Sequence, residues 1–241
     1  MIFLPRGIPV RENVNPARIN LPEAMNKLRA GSFTGYLRFD SSQGTGVIIF
    51  ERGKLVSALH VSTDDSESLI AYDAIARIFE VSIHGDASLN IFRLTPPLAM
   101  GLHSLLHGSY LCQGLDLPVV DIAGLLRRIS EEQINGCLRI YAEDKVVLIF
   151  FDHGEALGFF HDGSAEIVPT ADLSKSVARL VGAKLDLLET AYASDLILAD
   201  LMASADLGPI WRRIRKLLMG ERRQREEKVI RAQDDGPIFE R

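Results

Sequence analysis

Apolar and polar positions along the chain change period several times, and each change marks an element. Leu21, Ala24, Met25 and Leu28 recur at helical spacing, as do Ile122, Leu125, Leu126 and Ile129 a hundred residues on. After each helix a glycine, Gly35 or Gly136, opens a short strand, Tyr36–Phe39 or Cys137–Tyr141. Next come uninterrupted apolar runs, Val47–Phe50 and Val146–Phe151, the pattern of central strands covered on both faces. Arg52-Gly53 and His153-Gly154 then predict tight hairpins, with return strands Leu55–Leu59 and Ala156–Phe160.

The two series are one pattern used twice. Shifted by 101 positions, Ile19–His60 lies over Val120–His161 without a gap, pairing Gly35 with Gly136, Arg38 with Arg139, Gly53 with Gly154 and His60 with His161. Apolar positions stay in phase throughout, and a one-residue slip would turn every strand side chain to the other face. The later elements predict a helix over 66–79 against 170–181, a strand over 89–94 against 185–189, and a closing helix over 98–106 against 196–205. Cys112–Pro118 reads as the linker between copies. The fold expected is α+β: two tandem lobes over 15–111 and 116–206, each an antiparallel sheet with flanking helices, and a basic amphipathic helix with a disordered tail over 207–241.

Composition narrows the classes. The chain has 241 residues, 47% hydrophobic and 24% charged, which suits a soluble globular protein with a substantial core. No run is long and apolar enough for a membrane span, and the opening Met-Ile-Phe-Leu-Pro-Arg-Gly does not resemble a signal peptide. Two cysteines, Cys112 and Cys137, are too few for a disulfide framework, so a cytoplasmic location is expected.

Gly35-Tyr-Leu-Arg-Phe39, followed by an apolar strand running into Phe50-Glu-Arg-Gly53-Lys-Leu-Val-Ser-Ala58, resembles the PATAN domain. The resemblance covers roughly residues 19–95 and, more loosely, 120–190. It implies a bacterial signalling module, often fused to receiver domains, that acts through protein–protein contacts without enzymatic activity, some members serving motility or surface-appendage control. The chain carries no receiver domain, and Phe159 stands where the second copy would have the pattern's alanine, which marks that copy as degenerate.

Candidate chemistry is sparse. His60 and His161 occupy equivalent strand ends; if the lobes face each other across a pseudo-dyad, the pair, with Asp64 or Asp162, offers a metal site. Against that stands a strand-end histidine inherited by both copies. His103 and His107 share a helix face but lack the neighbouring glutamate of a zinc-protease signature. Asp64, Asp65 and Glu67 read as a solvated loop and helix N-terminus, a hard-cation site being the lesser alternative. Neither phosphate-loop nor nucleophile-elbow spacing occurs, so no catalytic residue, metal or cofactor is expected, and Gly35, Gly53, Gly136 and Gly154 are turn residues.

Residues 207–231 hold nine Lys or Arg against three Glu, a net +6, which leaves −11 on the rest of a chain whose total is −5. Ile210, Trp211, Ile214, Leu217 and Leu218 fall on one arc of about 120°, with Arg212, Arg213, Arg215 and Lys216 on the other side. Four readings stay open: packing on the second lobe, docking to another protein, attachment to a membrane surface, or nucleic-acid binding. An aromatic anchor ringed by arginines has the composition of an interface hot spot. That makes Trp211, Ile214, Arg212, Arg215 and Leu218 the candidate partner-binding residues. Nucleic acid is disfavoured because an acidic body repels phosphate. The function expected is a non-enzymatic adaptor for an unidentified protein, with a homodimer through an exposed sheet edge also open. The alternatives are a metal-dependent enzyme using His60 and His161, or nucleic-acid binding through the basic C-terminal helix.

Overall fold

The computed structural model describes residues 4, 6–64, 67–143, 145–161, 164, 166–169, 177–190 and 199–234, with side chains as far as residue 220. The first copy comprises β1 (Ile8–Val14), α1 (Leu21–Ala30), β2 (Gly35–Ser41), β3 (Gly44–Glu51), β4 (Lys54–Ser62), β5 (Ser68–Ile70), α2 (Ala71–His84), β6 (Ser88–Arg93) and α3 (Pro96–His107). The second comprises β7 (Ser109–Asp116), α4 (Ile122–Glu131), β8 (Gly136–Ala142), β9 (Lys145–Asp152), β10 (Glu155–His161) and β11 (Lys184–Glu189). Helices α5 (Leu201–Ser204) and α6 (Leu207–Asp234) follow. The fold is α+β: two antiparallel sheets with flanking helices, ordered β1-β6-β2-β3-β4-β5 and β10-β9-β8-β11-β7.

Both sheets repeat one plan, since β1, α1, β2, β3 and β4 begin 101 residues before β7, α4, β8, β9 and β10. Asn20 and Asp121 cap α1 and α4, accepting from the backbone N–H groups of Glu23 and Gly124. The first hairpin turns through Arg52 (φ 47°) and Gly53 (φ 82°), the second through His153 (φ 49°) and Gly154 (φ 74°). Each glycine donates its N–H to the residue that follows its helix, Phe33 or Ile134. Its missing side chain leaves room for the last carbonyls of that helix, which a Cβ would strike. Gly35 and Gly136 are held by close approach instead, for the carbonyls of Phe92 and Leu188 lie where a Cβ would stand.

One shared detail has no sequence signature. Asn13 (φ 53°) and Gly114 (φ 66°) sit at equivalent irregularities of β1 and β7 in the left-handed conformation. Their N–H groups are taken up by side chains of the neighbouring strands, Asn90 Oδ1 at 2.9 Å and Asp186 Oδ1 at 2.6 Å.

Strands β1 and β7 depart from expectation. The segment read as a linker, Cys112–Pro118, lies largely in β7, and the first copy closes at His107. Both are edge strands exposed on most positions, so neither shows the apolar alternation that reveals a half-buried strand. Within that segment Gly114 marks the bulge and Asp116 the strand's end. The helix expected over 66–79 begins only at Ala71 and is preceded by β5; it runs on to Gly85, whose φ of 90° ends it. Of the helices expected over 170–181 and 196–205, residues 170–176 and 196–198 lie outside the described residues. The remainder is a 3-10 turn at Val177–Arg179 and α5.

The main core lies between the sheets. α3 inserts there: Leu98, Ala99, Leu102 and Leu105 pack on Tyr36, Val47 and Ile49 of the first sheet and on Val146, Leu148 and Phe150 of the second. On the far side of the first sheet, α1, α2 and the start of α6 build a second core around Met25, Phe33, Phe50, Ile75, Ile78 and Phe79.

Candidate protein-docking surface

The chain returns from the second sheet to the first lobe, and a polar latch fixes where it lands. Asp200 accepts from the N–H groups of Leu55 and Met202 and pairs with Arg29 at 3.3 Å. The Tyr72 hydroxyl donates to the Leu201 carbonyl at 3.0 Å. Asp206 then accepts from Gly208 N–H at 2.9 Å, satisfying an orphan donor in the first turn of α6.

α6 lies on α2. Leu207, Trp211 and Leu218 are buried and Ile210 and Ile214 half-buried, with the Trp211 ring edge-on to Phe79 at 5.0 Å between centroids. The apolar stripe is thus spent on the first lobe, whereas the packing reading had placed it on the second. The cause is local: the apolar face of α2, built from Ile75, Ile78 and Phe79, is the surface beside which the Asp200 latch delivers the chain. At 7% exposed, Trp211 is a clasp. Leu217 falls at the margin of the arc and is 59% exposed, while Met219 is exposed on the opposite flank. A groove of about 490 Å³ runs between α2 and α6 over Leu69, Ala76, Ile214 and Leu217. Arg212, Arg213, Arg215 and Lys216 all face solvent. Of the five partner-binding candidates, the structure therefore leaves Arg212 and Arg215 accessible, half-buries Ile214 and buries Trp211 and Leu218. The disordered tail expected over 232–241 falls, for residues 235–241, outside the described residues; 232–234 continue α6.

The histidine metal site is not assembled. His60 follows Leu59, which points into the inter-sheet core, so it faces the opposite side, where Arg77, Glu67 and Glu80 surround it. His161 likewise follows core-facing Phe160 and stacks against Phe159. The two imidazoles point away from each other on the outer faces of the two sheets. Among the described residues no group of three or more potential metal ligands converges. Asp65 and Asp162 lie outside the described residues; Asp64 accepts from the Ser62 hydroxyl at 2.7 Å.

Two polar clusters go further than sequence reasoning took them: the His103/His107 pair was legible but its partner Ser57 was not, and the Arg139–Asp186 pair was missed altogether. His103 and His107 on α3 sit with ring centroids 4.7 Å apart, and His107 Nε2 is 2.9 Å from the Ser57 hydroxyl of β4. Burial holds His103 well below its ordinary range, to about 4, and partial desolvation lowers His107 as well, so both are neutral at pH 7. Although this is a serine–histidine contact, the group beside His107 is a second imidazole and not an orienting carboxylate. The contact fastens α3 to the first sheet. In the second lobe Arg139 and Asp186 form a buried ion pair, joined by the hydroxyls of Tyr110 and Tyr141. Arg139 had registered only as an identity with Arg38, because the partner lies 47 residues further on. Burial also pushes the Cys137 thiol up, leaving it inert.

Residues 2–106 match the model of a family described as "Uncharacterized protein conserved in archaea (DUF2226)". The match covers the first copy almost from end to end and stops within α3. It displaces the PATAN-type resemblance: no PATAN match accompanies it, and the bacterial origin and signalling role drawn from that resemblance fall with it. The PATAN pattern consisted of a glycine, two short apolar strands and a hairpin, features that any such antiparallel unit needs for folding. No curated protein and no solved structure matches the chain. No helix among the described residues is long and apolar enough to cross a membrane.

Proposed function

We propose that this chain is a cytoplasmic, non-enzymatic adaptor that binds another protein through the cationic face of α6. The observation that carries this reading is the direction in which α6 is clamped. Its apolar stripe is buried on the first lobe, so Arg212, Arg213, Arg215 and Lys216 are held outward as a preorganised row. Preorganisation matters because an isolated helix of this length must be ordered when it binds, whereas one already packed on a lobe needs no such ordering. A partner for such a face is acidic, with apolar side chains for the groove beside Leu217. Burial of Trp211 counts against single-stranded nucleic acid, since it removes the helix's aromatic platform for base stacking. Two free cysteines, Cys112 half-buried and Cys137 buried, suit a reducing compartment.

The test is a crosslinking pull-down from nuclease-treated native lysate, comparing the full chain with an R212E/R213E/R215E/K216E variant. Proteins captured by the wild type and lost from the variant are expected. Equal capture by both contradicts a docking role for α6.

A further inference from the structure

The charge of the body is not spread evenly. Residues 1–107 carry ten basic and ten acidic side chains, whereas residues 108–190 carry seven basic and thirteen acidic, so the second lobe holds the excess negative charge. Part of it gathers at one end of the second sheet. The β9–β10 hairpin packs on the end of α4 through Gly154 N–H to the Ile134 carbonyl, and Thr190 N–H donates to the Asn135 carbonyl. These contacts bring exposed Glu131, Glu132, Asp152, Glu155 and Glu189 to the same end. Arg128 pairs with Glu132 and leaves the cluster strongly negative. A cavity of about 430 Å³ opens there beneath Asp152 and His153, with an apolar floor that includes Met100, Phe150, Leu157 and Ile167. It is large enough to take exposed side chains of a docking helix.

α6 presents the complementary surface: a row of four cations with Leu217 exposed beside it. Within one molecule the two surfaces do not meet. α6 lies with α1 and α2 on one side of the first sheet, while α3, which forms one wall of the cavity, lies on the other side against the second sheet. They meet only between molecules. We propose that a second copy of this chain is a partner of α6: the cationic face docks on the acidic end of the other copy's second lobe, and Leu217 enters its cavity. This rests on the docking role proposed for α6 and names the partner. The contact joins two different surfaces, so a two-fold arrangement makes it twice in a closed pair and any other arrangement propagates it.

Sedimentation equilibrium of the full chain tests it, at about 50 and about 500 mM NaCl, conditions in which screening of exposed charges differs strongly. The wild type is expected to exceed its monomer mass of 26.7 kDa at low salt and to return to it at high salt. Two variants, R212E/R213E/K216E and E131K/E155K, are each expected to be monomeric alone, and their mixture to associate because the swapped charges again match. A wild type that stays monomeric at low salt overturns the inference, as does association that survives both salt and either variant. If the monomeric protein still captures an acidic partner that the α6 variant loses, the self-association is refuted while the adaptor reading stands.

Discussion

Asp186 ties three strands of the second lobe together. It is wholly buried, receives Arg139 Nε at 2.8 Å and holds the Gly114 N–H at the β7 bulge. The first copy solves the same bulge with neutral Asn90 and pairs Arg38 with neighbouring Asp40 instead. Asp186→Asn retains an acceptor for Gly114 but leaves the Arg139 charge buried without its counter-ion. The expected cost is about 3–5 kcal/mol by urea denaturation, most of it recovered in an R139L/D186N double variant. Two buried histidines, His60 and His103, and the more exposed His107 beside His103 set the pH dependence. Burial lowers His60, His103 and His107 in the folded state, while the unfolded chain protonates them near pH 6.5. Between that value and the folded one, about 4 for His103, the unfolded state binds more protons. Their contribution is therefore complete above about pH 6.5 and is lost as the pH falls below it. Urea midpoints should drop between about pH 7.5 and about pH 5, by a free energy on the order of 2 kcal/mol, and H103N/H107N should flatten that slope.

Among the elements, what could be read from sequence followed burial. β3 and β9 are covered on both faces and declared themselves as apolar runs, and β2 and β8 as short strands opened by a glycine; β1 and β7 are exposed edges and carry almost no pattern. α6 was legible as amphipathic, but its arc does not say which surface it meets. That is decided by the Asp200 latch and by the face of α2, more than a hundred residues away in the chain. The margin of the arc was misjudged for a related reason. Trp211 and Leu218 define the buried line, and Leu217 lies a third of a turn or so away, at the open groove beside α2, where it stays exposed. Trp211→Ala should therefore destabilise the whole protein by about 3–5 kcal/mol, whereas Leu217→Ala should change stability by less than about 0.5 kcal/mol. Thermal unfolding of the two variants separates these outcomes.

At the level of the whole molecule, duplication is the organising fact, and it was visible because strand phase cannot drift without exposing a core. The relation between the copies was not visible. Nothing in a periodicity says that α3 is shared between two sheets or that His60 and His161 point away from each other. Charge asymmetry was legible as a sum but not as a map: the basic helix rests on the electrically balanced first lobe, far from the acidic second one. That separation is the physical basis for assigning α6 to intermolecular contact. The account rests on α6 being clamped to the first lobe, and the chain's single tryptophan, Trp211, reports on it directly. Acrylamide quenching of its fluorescence in the native full-length protein should show a blue-shifted emission and weak quenching, both lost in the same urea transition that removes far-ultraviolet circular dichroism. A native spectrum like that of the unfolded chain, with free access for the quencher, would show that the helix is not held on the lobe and would contradict the account.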